Sequence, residues 1–443
     1  MPLLTKCEDD PFLFPRPSTP NSVDIRYDST GRVNELPSET HFSATTKGGL
    51  SATEGGSRPI PFFSQAATFA QLWPAVEKGL DEVFHSGKFS HGKQVGQLEA
   101  ALARYTGARH VVGVNSGTDA LVLLLRACGL RPGDGVLVPA YSFFATASAV
   151  VLAGGRPQFV DIDPLTYAMD PAALAAAVTG TSRFVMPVHL FHTMADLQAI
   201  TAVARRHGLT VVEDSAEAIG MRRRGVHAGL HGAGGVLSFF PSKTLGALGD
   251  AGAVLTDDPD VADTVAALRH HGRTGRTLND FPAIATESAW PGLNSKMDDL
   301  QAAVLLAKLP LLERQIARRA ELAAAYTARL KDVPGVIRLP RTTAEGPGDR
   351  DVYYVYLIET EDRDALVAHL DRHGIGTEVY YPVPLPHQPV FAHLGHRPGD
   401  FPHAEAAARH AVALPFHPDL APGDLDRVCD TVRSFLAGRR AAA

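Results

Sequence analysis

Short apolar runs alternate with helix-like segments through the middle of the chain. Runs of four to seven largely β-branched residues predict strands, whereas apolar residues spaced by three or four, as in TDALVLLLRACGL and DLQAITAVARRHG, predict helices. This alternation indicates an α/β fold with a mainly parallel sheet covered by helices on both faces. Ligands of such sheets bind at the carboxyl ends of the strands. The predicted strands are 110–114, 135–140, 157–163, 183–190, 209–215, 235–240 and 252–258.

The pattern changes near residue 300. A long helical period at 297–330 is interrupted at Pro310, and strand-like segments at 352–360 and 377–383 alternate with two further helices. The first residues, rich in Pro, Ser, Thr, Gly and Asp, show no sustained apolar period. The predicted organisation is an irregular N-terminal extension at 1–57, a large domain at 58–305 and a small C-terminal domain at 306–443.

Composition narrows the class of protein. The 443 residues are 45% hydrophobic and 20% charged, with a formal net charge of -6, which argues against a nucleic-acid or anionic-membrane partner. Apolar runs are shorter than the ~18 residues of a membrane span, and the acidic, proline-containing start is unlike a signal peptide. A cytoplasmic protein is expected. The cysteines, Cys7, Cys128 and Cys429, are isolated, so neither a disulfide framework nor a metal site is predicted.

One lysine stands out within the stretch SFFPSKTLGALGDAG. Lys243 is the only lysine between Lys93 and Lys296, a span in which arginine otherwise carries the positive charge. Arginine stays protonated and is a poor nucleophile, whereas a lysine in a confined apolar site can lose its proton and attack a carbonyl. The first hypothesis is therefore Schiff-base chemistry at Lys243.

Other chemistry-bearing residues follow predicted strands. Ser116, Gly117 and Thr118 lie between a strand and a helix, where hydroxyl and amide groups suit a phosphate, although this motif taken alone favours a simple helix cap. Asp214 ends an apolar strand and can pair with a protonated pyridine nitrogen or cap a helix. Phe143 follows another strand and can stack on a flat cofactor or pack in the core. Taken with Lys243, these groups describe a site for pyridoxal 5'-phosphate (PLP).

The sequence resembles the DegT/DnrJ/EryC1/StrS family of sugar aminotransferases over about residues 58–436. The resemblance is carried by NSGTDAL, PAYSFFATASAV, FVDIDPLTYAMDP, PVHLF, VVEDSAEAIG, SFFPSKTLGALGDAG and GLNSKMDDLQAAVLLAKL. It implies the PLP-dependent transferase fold type I, the aspartate-aminotransferase fold, with a large α/β domain and a smaller C-terminal α/β domain. It also implies PLP as cofactor, L-glutamate or L-glutamine as amino donor, and a homodimer with shared active sites.

The family's residue roles are carried over by position. The resemblance implies Lys243 as the Schiff-base lysine, Asp214 on the pyridine nitrogen, Phe143 against the ring and Glu217 near the phenolic oxygen. Ser116, Gly117, Thr118 and Ser238 would hold the phosphate, and Asn294 would reach it from the neighbouring subunit. Departures from the family pattern at His192, Trp290 and His387, together with His189 near the cofactor, mark candidate substrate residues.

The main interpretation is a PLP-dependent aminotransferase acting on a keto-sugar, with a nucleotide-linked sugar favoured. A cyclitol or other non-nucleotide ketone aminotransferase remains an alternative within the family. A sugar dehydratase is disfavoured, since those relatives have histidine where this chain has Lys243. A non-catalytic regulatory homologue is the alternative from another class, and the intact Lys243, Asp214 and Ser116–Thr118 argue against it.

Overall fold

A computed structural model describes residues 58–90, 92–273 and 287–442. The predicted N-terminal extension, residues 1–57, lies outside the described residues. None of the described helices is both long enough and apolar enough to cross a membrane.

The strands of the central sheet are β1 (His110–Val114), β2 (Gly135–Pro139), β3 (Arg156–Val160), β4 (Ser182–Val185), β5 (Thr210–Asp214), β8 (Gly234–Ser238) and β9 (Gly252–Thr256). These seven strands lie in the order β1-β9-β8-β5-β4-β2-β3. Neighbours from β8 to β3 are parallel, whereas β9 runs antiparallel to both β1 and β8. The strands are almost wholly buried because helices cover both faces. This confirms the predicted, mainly parallel sheet. A small hairpin, formed by β6 (Arg222–Arg223) and β7 (Val226–His227), precedes β8.

Helices follow most strands of the sheet, and their ends obey local capping rules. The helix Leu197–His207 begins after Asp196, whose Oδ1 accepts a hydrogen bond from Ala199 N at 3.0 Å. It ends at Gly208, whose φ of 65° is the left-handed conformation that glycine adopts without a steric penalty. The helices up to residue 268 are α1 (Ala66–Ser86), α2 (Lys93–Thr106), α3 (Gly117–Ala127), α4 (Phe144–Leu152), α5 (Pro171–Ala177), α6 (Leu197–His207) and α7 (Pro259–Leu268).

The long helical segment breaks where the sequence predicts. Helix α8 (Asp299–Lys308) passes into one 3-10 turn, Leu309–Leu311, before α9 (Leu312–Leu330) begins. Pro310 lies in that turn because proline has no N–H to donate within an α-helix. The interruption predicted at Pro310 is confirmed.

The C-terminal part contains a second, three-stranded antiparallel sheet. Its strands β10 (Val336–Arg338), β11 (Tyr356–Thr360) and β12 (Ala411–Leu414) share a core with α9, α10 (Arg363–Arg372) and α12 (Pro422–Ala442). Helix α11 (Pro402–His410) and short 3-10 turns at Leu385–His387 and Pro389–Leu394 complete this part. The division at residues 305 and 306 remains a prediction.

One predicted strand is wrong. Residues 377–383 form a loop whose only bridge to the sheet joins Glu378 to Ala413. Pro382 lacks the N–H that a strand donates, and Pro384 and Pro386 extend the interruption. Tyr380 and Tyr381 of this loop contribute to the site described in the next subsection and do not pair in a sheet.

Candidate active site

Three chain segments meet closely at one end of the sheet to form a cradle. Ser116 caps α3, and its Oγ accepts a hydrogen bond from Asp119 N at 3.1 Å. A Cβ atom on Gly117 would lie 2.8 Å from Ser238 Cβ, and one on Gly252 would lie 2.5 Å from the carbonyl carbon of Ser116. Both positions therefore require glycine. These close contacts place the Ser116 and Ser238 hydroxyls beside the amide groups of the first turn of α3, and this arrangement is suited to binding an anion.

Asp214 lies at the carboxyl end of β5 and is buried. Its Oδ2 accepts a hydrogen bond from Thr146 Oγ1 at 2.8 Å, and its Oδ1 accepts one from Ala216 N at 3.2 Å. Ser142 Oγ lies 2.8 Å from Thr146 Oγ1 and extends the network. Burial raises the pKa of Asp214, and the Thr146 hydrogen bond opposes that shift. The carboxylate is thus held ready to pair with a buried cation.

Glu213 points away from this network, as the alternation of a strand predicts. Its carboxylate lies 2.9 Å from His189 Nε2 and accepts a hydrogen bond from Gly229 N at 2.8 Å. Although burial acts in the opposite direction, the His189 hydrogen bond and charge hold the pKa of Glu213 below its ordinary value. Only Asp214 of the pair belongs to the site.

Lys243 lies in a confined place, yet its surroundings are not simply apolar. Its Nζ donates to Glu217 Oε1 at 3.0 Å and lies 4.3 Å above the centre of the Tyr354 ring. The other oxygen of Glu217 accepts a hydrogen bond from Phe191 N at 2.9 Å. Burial disfavours the ammonium, but the Glu217 charge outweighs it and raises the pKa of Lys243. The sequence hypothesis expected a Lys243 amine that loses its proton easily in an apolar site. Instead, the ammonium forms an ion pair with Glu217.

Tyrosines connect Lys243 with Phe143. The exposed ring of Phe143 lies 6.0 Å from that of Tyr381, and Tyr380 lies 6.3 Å from Tyr354. Tyr141, itself fully buried, accepts a hydrogen bond from Tyr381 N at 2.9 Å and donates to the carbonyl of Tyr380. The sequence reasoning missed the tyrosines at 354, 380 and 381 because VYYVY and VYYPV were interpreted only as strands. These tyrosines are far from Lys243 along the chain, so the sequence carries no signal that they lie near it.

Three predicted substrate histidines use their nitrogens within the protein. His189 Nδ1 accepts from Ala195 N at 3.2 Å, so Nε2 donates to Glu213. His192 stacks on Tyr353 with its Nε2 3.1 Å from the Arg341 carbonyl, and burial lowers the pKa of His192. The geometry favours a structural role for both. His387 Nε2 lies 3.0 Å from Glu405 Oε1, which favours the same reading.

Asn294 and Trp290 lie at the surface. Asn294 is exposed and accepts a hydrogen bond from the Lys296 ammonium. Its neighbour Ser295 accepts a hydrogen bond from Asn115 N at 3.0 Å, which places the segment beside the end of β1 and the cradle. The Trp290 side chain is 43% exposed. Both side chains are accessible to a second molecule.

The chain matches known proteins over most of its length. The sequence profile of the DegT/DnrJ/EryC1/StrS aminotransferase family matches residues 74–433. A pleiotropic regulatory protein of Geobacillus stearothermophilus is 41% identical over 376 residues, covering 85% of this chain and 98% of that protein. A dTDP-3-amino-3,4,6-trideoxy-alpha-D-glucose transaminase of Streptomyces venezuelae is 38% identical, covering 85% of this chain and 96% of the relative.

A solved structure supports the same conclusion on fold. The crystal structure of S. venezuelae DesV in complex with a ketimine intermediate superimposes with a TM-score of 0.80 and 37% identity. It covers 86% of this chain and 99% of DesV. The predicted type I fold is confirmed.

Proposed function

Because the chain belongs to the DegT/DnrJ/EryC1/StrS family of PLP-dependent aminotransferases, we propose that it moves an amino group from L-glutamate or L-glutamine to a nucleotide-activated keto-sugar. Such a reaction serves amino-sugar or secondary-metabolite biosynthesis. The observation that carries the proposal is the Lys243–Glu217 pair, 3.0 Å apart, beside the buried Asp214. An amine, a proton acceptor and a carboxylate for a cationic ring lie together there.

The cradle and its surroundings fit PLP. Ser116, Gly117, Thr118 and Ser238 would hold the phosphate, since the two serines lie on either side of the close contact at Gly117. Asp214, with its burial and its Thr146 hydrogen bond, would pair with the protonated pyridine nitrogen. Phe143 would cover one face of the ring, its side chain being 56% exposed. When bound, PLP supplies an electron sink for the substrate α-carbon and stores the amino group between half-reactions.

Lys243 and Glu217 would carry out the proton transfers of the reaction. Lys243 must lose a proton before it attacks a carbonyl, and Glu217, at 3.0 Å, is placed to accept it. With substrate bound, the Lys243 amine would carry a proton between substrate atoms. The Tyr354 ring, 4.3 Å from Nζ, stabilises the charged form and limits the amine's movement. Arginine could perform neither proton transfer at this position.

A homodimer with shared active sites is part of the proposal. The loops around Lys243 expose large apolar side chains, with Phe240 52% and Leu248 54% accessible. An exposed apolar rim beside a catalytic group is suited to burial by a second copy of the chain. The exposed amide of Asn294 is suited to reach into the other copy's phosphate cradle.

The nucleotide-linked sugar is proposed from the S. venezuelae transaminase, whose name specifies a dTDP-sugar. A cyclitol or another non-nucleotide ketone remains the alternative acceptor. The name of the G. stearothermophilus relative suggests a regulatory homologue as a further candidate. The intact Lys243, Asp214 and cradle favour catalysis.

The first experiment asks whether Lys243 captures PLP. After unbound PLP is removed, the wild-type protein is expected to show the visible absorbance of a protein-bound Schiff base and to carry a borohydride-fixed adduct on the Lys243 peptide, whereas Lys243→Ala should show neither. Lys331→Ala, at an exposed lysine, is the matched control. A wild-type protein that stays colourless with PLP contradicts the proposal.

A second experiment identifies the acceptor. The pyridoxamine form is incubated with a panel of keto-sugars, both nucleotide-linked and free, and return of the PLP spectrum reports amino transfer. Faster return with nucleotide-linked sugars supports the proposal, whereas reaction with free ketones alone favours the alternative.

A further inference from the structure

The turn that carries Lys243 is unusually tight. Between Pro241 and Gly246 the chain folds back so that a Cβ atom on Gly246 would lie only 2.3 Å from the Pro241 carbonyl oxygen. Lys243 N donates to Phe240 O at 2.8 Å inside the turn, and Ala247 N donates to Phe239 O at 2.8 Å across its base. The position of the Lys243 amine therefore depends on the exact path of a few peptide units.

Two side chains from outside bond to the ends of this turn. Lys308, the last residue of α8, donates from Nζ to the Gly246 carbonyl at 2.5 Å and to Gln65 Oε1 at 2.7 Å. Gln65 in turn donates from Nε2 to the Pro241 carbonyl at 3.2 Å. The first and last carbonyls of the turn are thus joined through one ammonium and one amide.

The Lys308 ammonium is retained at an energetic cost. Its side chain is only 1% exposed, and its two hydrogen-bond partners within the described chain are both neutral. Burial of a charge without an opposite charge is unfavourable, and an apolar residue of similar size would avoid that cost. Burial accordingly lowers the pKa of Lys308 to about 8, and the Phe69 ring, 4.9 Å away, gives limited compensation. A role beyond packing is indicated.

We infer that Lys308, together with Gln65, is a positioning residue that clamps the Pro241–Gly246 turn and so fixes Lys243 beside Glu217. The inference rests on the proposed role of Lys243 as the residue that captures PLP. A displacement of a reacting group by about 1 Å can cost on the order of 100-fold in rate. The clamp therefore acts on how fast Lys243 reacts and leaves the phosphate cradle intact.

The test compares Lys308→Met and Gln65→Ala with Gln71→Ala. Gln71 is a matched control because it lies on α1, which Gln65 directly precedes, and it too bonds to a cation, Arg314 Nη2, at 2.9 Å. The side chains of Gln71 and Arg314 are both exposed. Stopped-flow absorbance measures how fast the apoprotein captures PLP. Lys308→Met is expected to slow capture by roughly 10- to 100-fold, Gln65→Ala by less, and Gln71→Ala by nothing measurable.

Two further measurements separate positioning from damage to the fold. Affinity for 4'-deoxypyridoxine phosphate, which lacks the aldehyde, should be unchanged in all three variants. Amide exchange in the apoprotein should rise in the peptide containing the Pro241–Gly246 turn only for Lys308→Met and Gln65→Ala. The inference is overturned if Lys308→Met captures PLP at the wild-type rate and shows wild-type amide exchange. It is also overturned if the affinity of Lys308→Met for the analogue falls by the same factor as its capture rate. Failure of the wild type itself to capture PLP would instead refute the proposed function, and the exchange data would still report the clamp.

Discussion

Replacement of Thr146 by valine should reveal how much Thr146 stabilises the charged form of the buried Asp214. Valine preserves the shape of threonine and removes the hydroxyl that donates to Asp214 Oδ2 at 2.8 Å. A hydrogen bond to a buried charge is worth about 1.5–3 kcal/mol, so its loss should raise the pKa of Asp214 further. Serine at the same position keeps the hydroxyl and loses only a methyl group, so Thr146→Ser is the control.

The sign of the pH dependence follows from burial. The pKa of Asp214 is already raised in the folded chain, so the folded state holds this proton more tightly than the unfolded state. Such a group costs stability when the pH exceeds its folded pKa, and the cost disappears as the pH falls below its unfolded pKa. Thr146→Val raises the folded pKa further. The additional loss in free energy of unfolding should therefore be complete at a pH above the folded-state pKa of Asp214 in the variant. It should be absent at a pH below the folded-state pKa of Asp214 in the wild type.

Urea unfolding of the apoprotein over a range of pH measures this effect. At pH 7 the free energy of unfolding of Thr146→Val is expected to fall by about 1.5–3 kcal/mol, and the deficit should shrink as the pH is lowered. Thr146→Ser should show a smaller deficit that is the same at every pH. A deficit in Thr146→Val that does not vary with pH would refute the role assigned to the hydrogen bond.

Three further variants test the cradle, the ion pair and the shared site. Gly117→Ala should weaken PLP binding, measured by absorbance titration, because the new methyl would press against Ser238 Cβ at 2.8 Å; unchanged affinity would contradict the cradle. Glu217→Gln removes the charge that raises the pKa of Lys243, so acetic anhydride should label the apoprotein lysine faster at pH 9, as read by peptide mass spectrometry, and equal rates would argue against the ion pair. Asn294→Ala mixed and refolded with Lys243→Ala should recover activity up to about one quarter of wild type, since half of randomly assorted dimers hold one intact site; no recovery would count against sites shared between subunits.

The strands and the elements that carry the chemistry could be predicted because apolar runs in a parallel sheet are continuous and short. Ser116 and Gly117 lie just after β1, and Gly252 begins β9. Ser238 and Asp214 are the last residues of β8 and β5. The environment of Lys243 could not be predicted in the same way. Glu217 comes from the segment after β5 and Tyr354 from the segment before β11, and a single sequence carries no signal that these two residues meet at one amine.

The 377–383 loop shows how a local pattern misleads. Val379 and the two tyrosines that follow it have high strand propensity. Pro382 and the packing of the tyrosines beside the site override that propensity. The substrate role of His192 stays a prediction, and its stacking on Tyr353 favours a role in packing instead.

The position of β9 between β1 and β8 has a consequence during synthesis of the chain. Ser116 emerges from the ribosome long before Gly252, and the contact between them exists only after His110 has paired with Thr256 across the sheet. Chain closure over so long an interval is slow. If the cradle holds the phosphate of PLP as proposed, the nascent polypeptide has no place for it until more than half of the chain has been made, and binding of the cofactor would report a completed sheet.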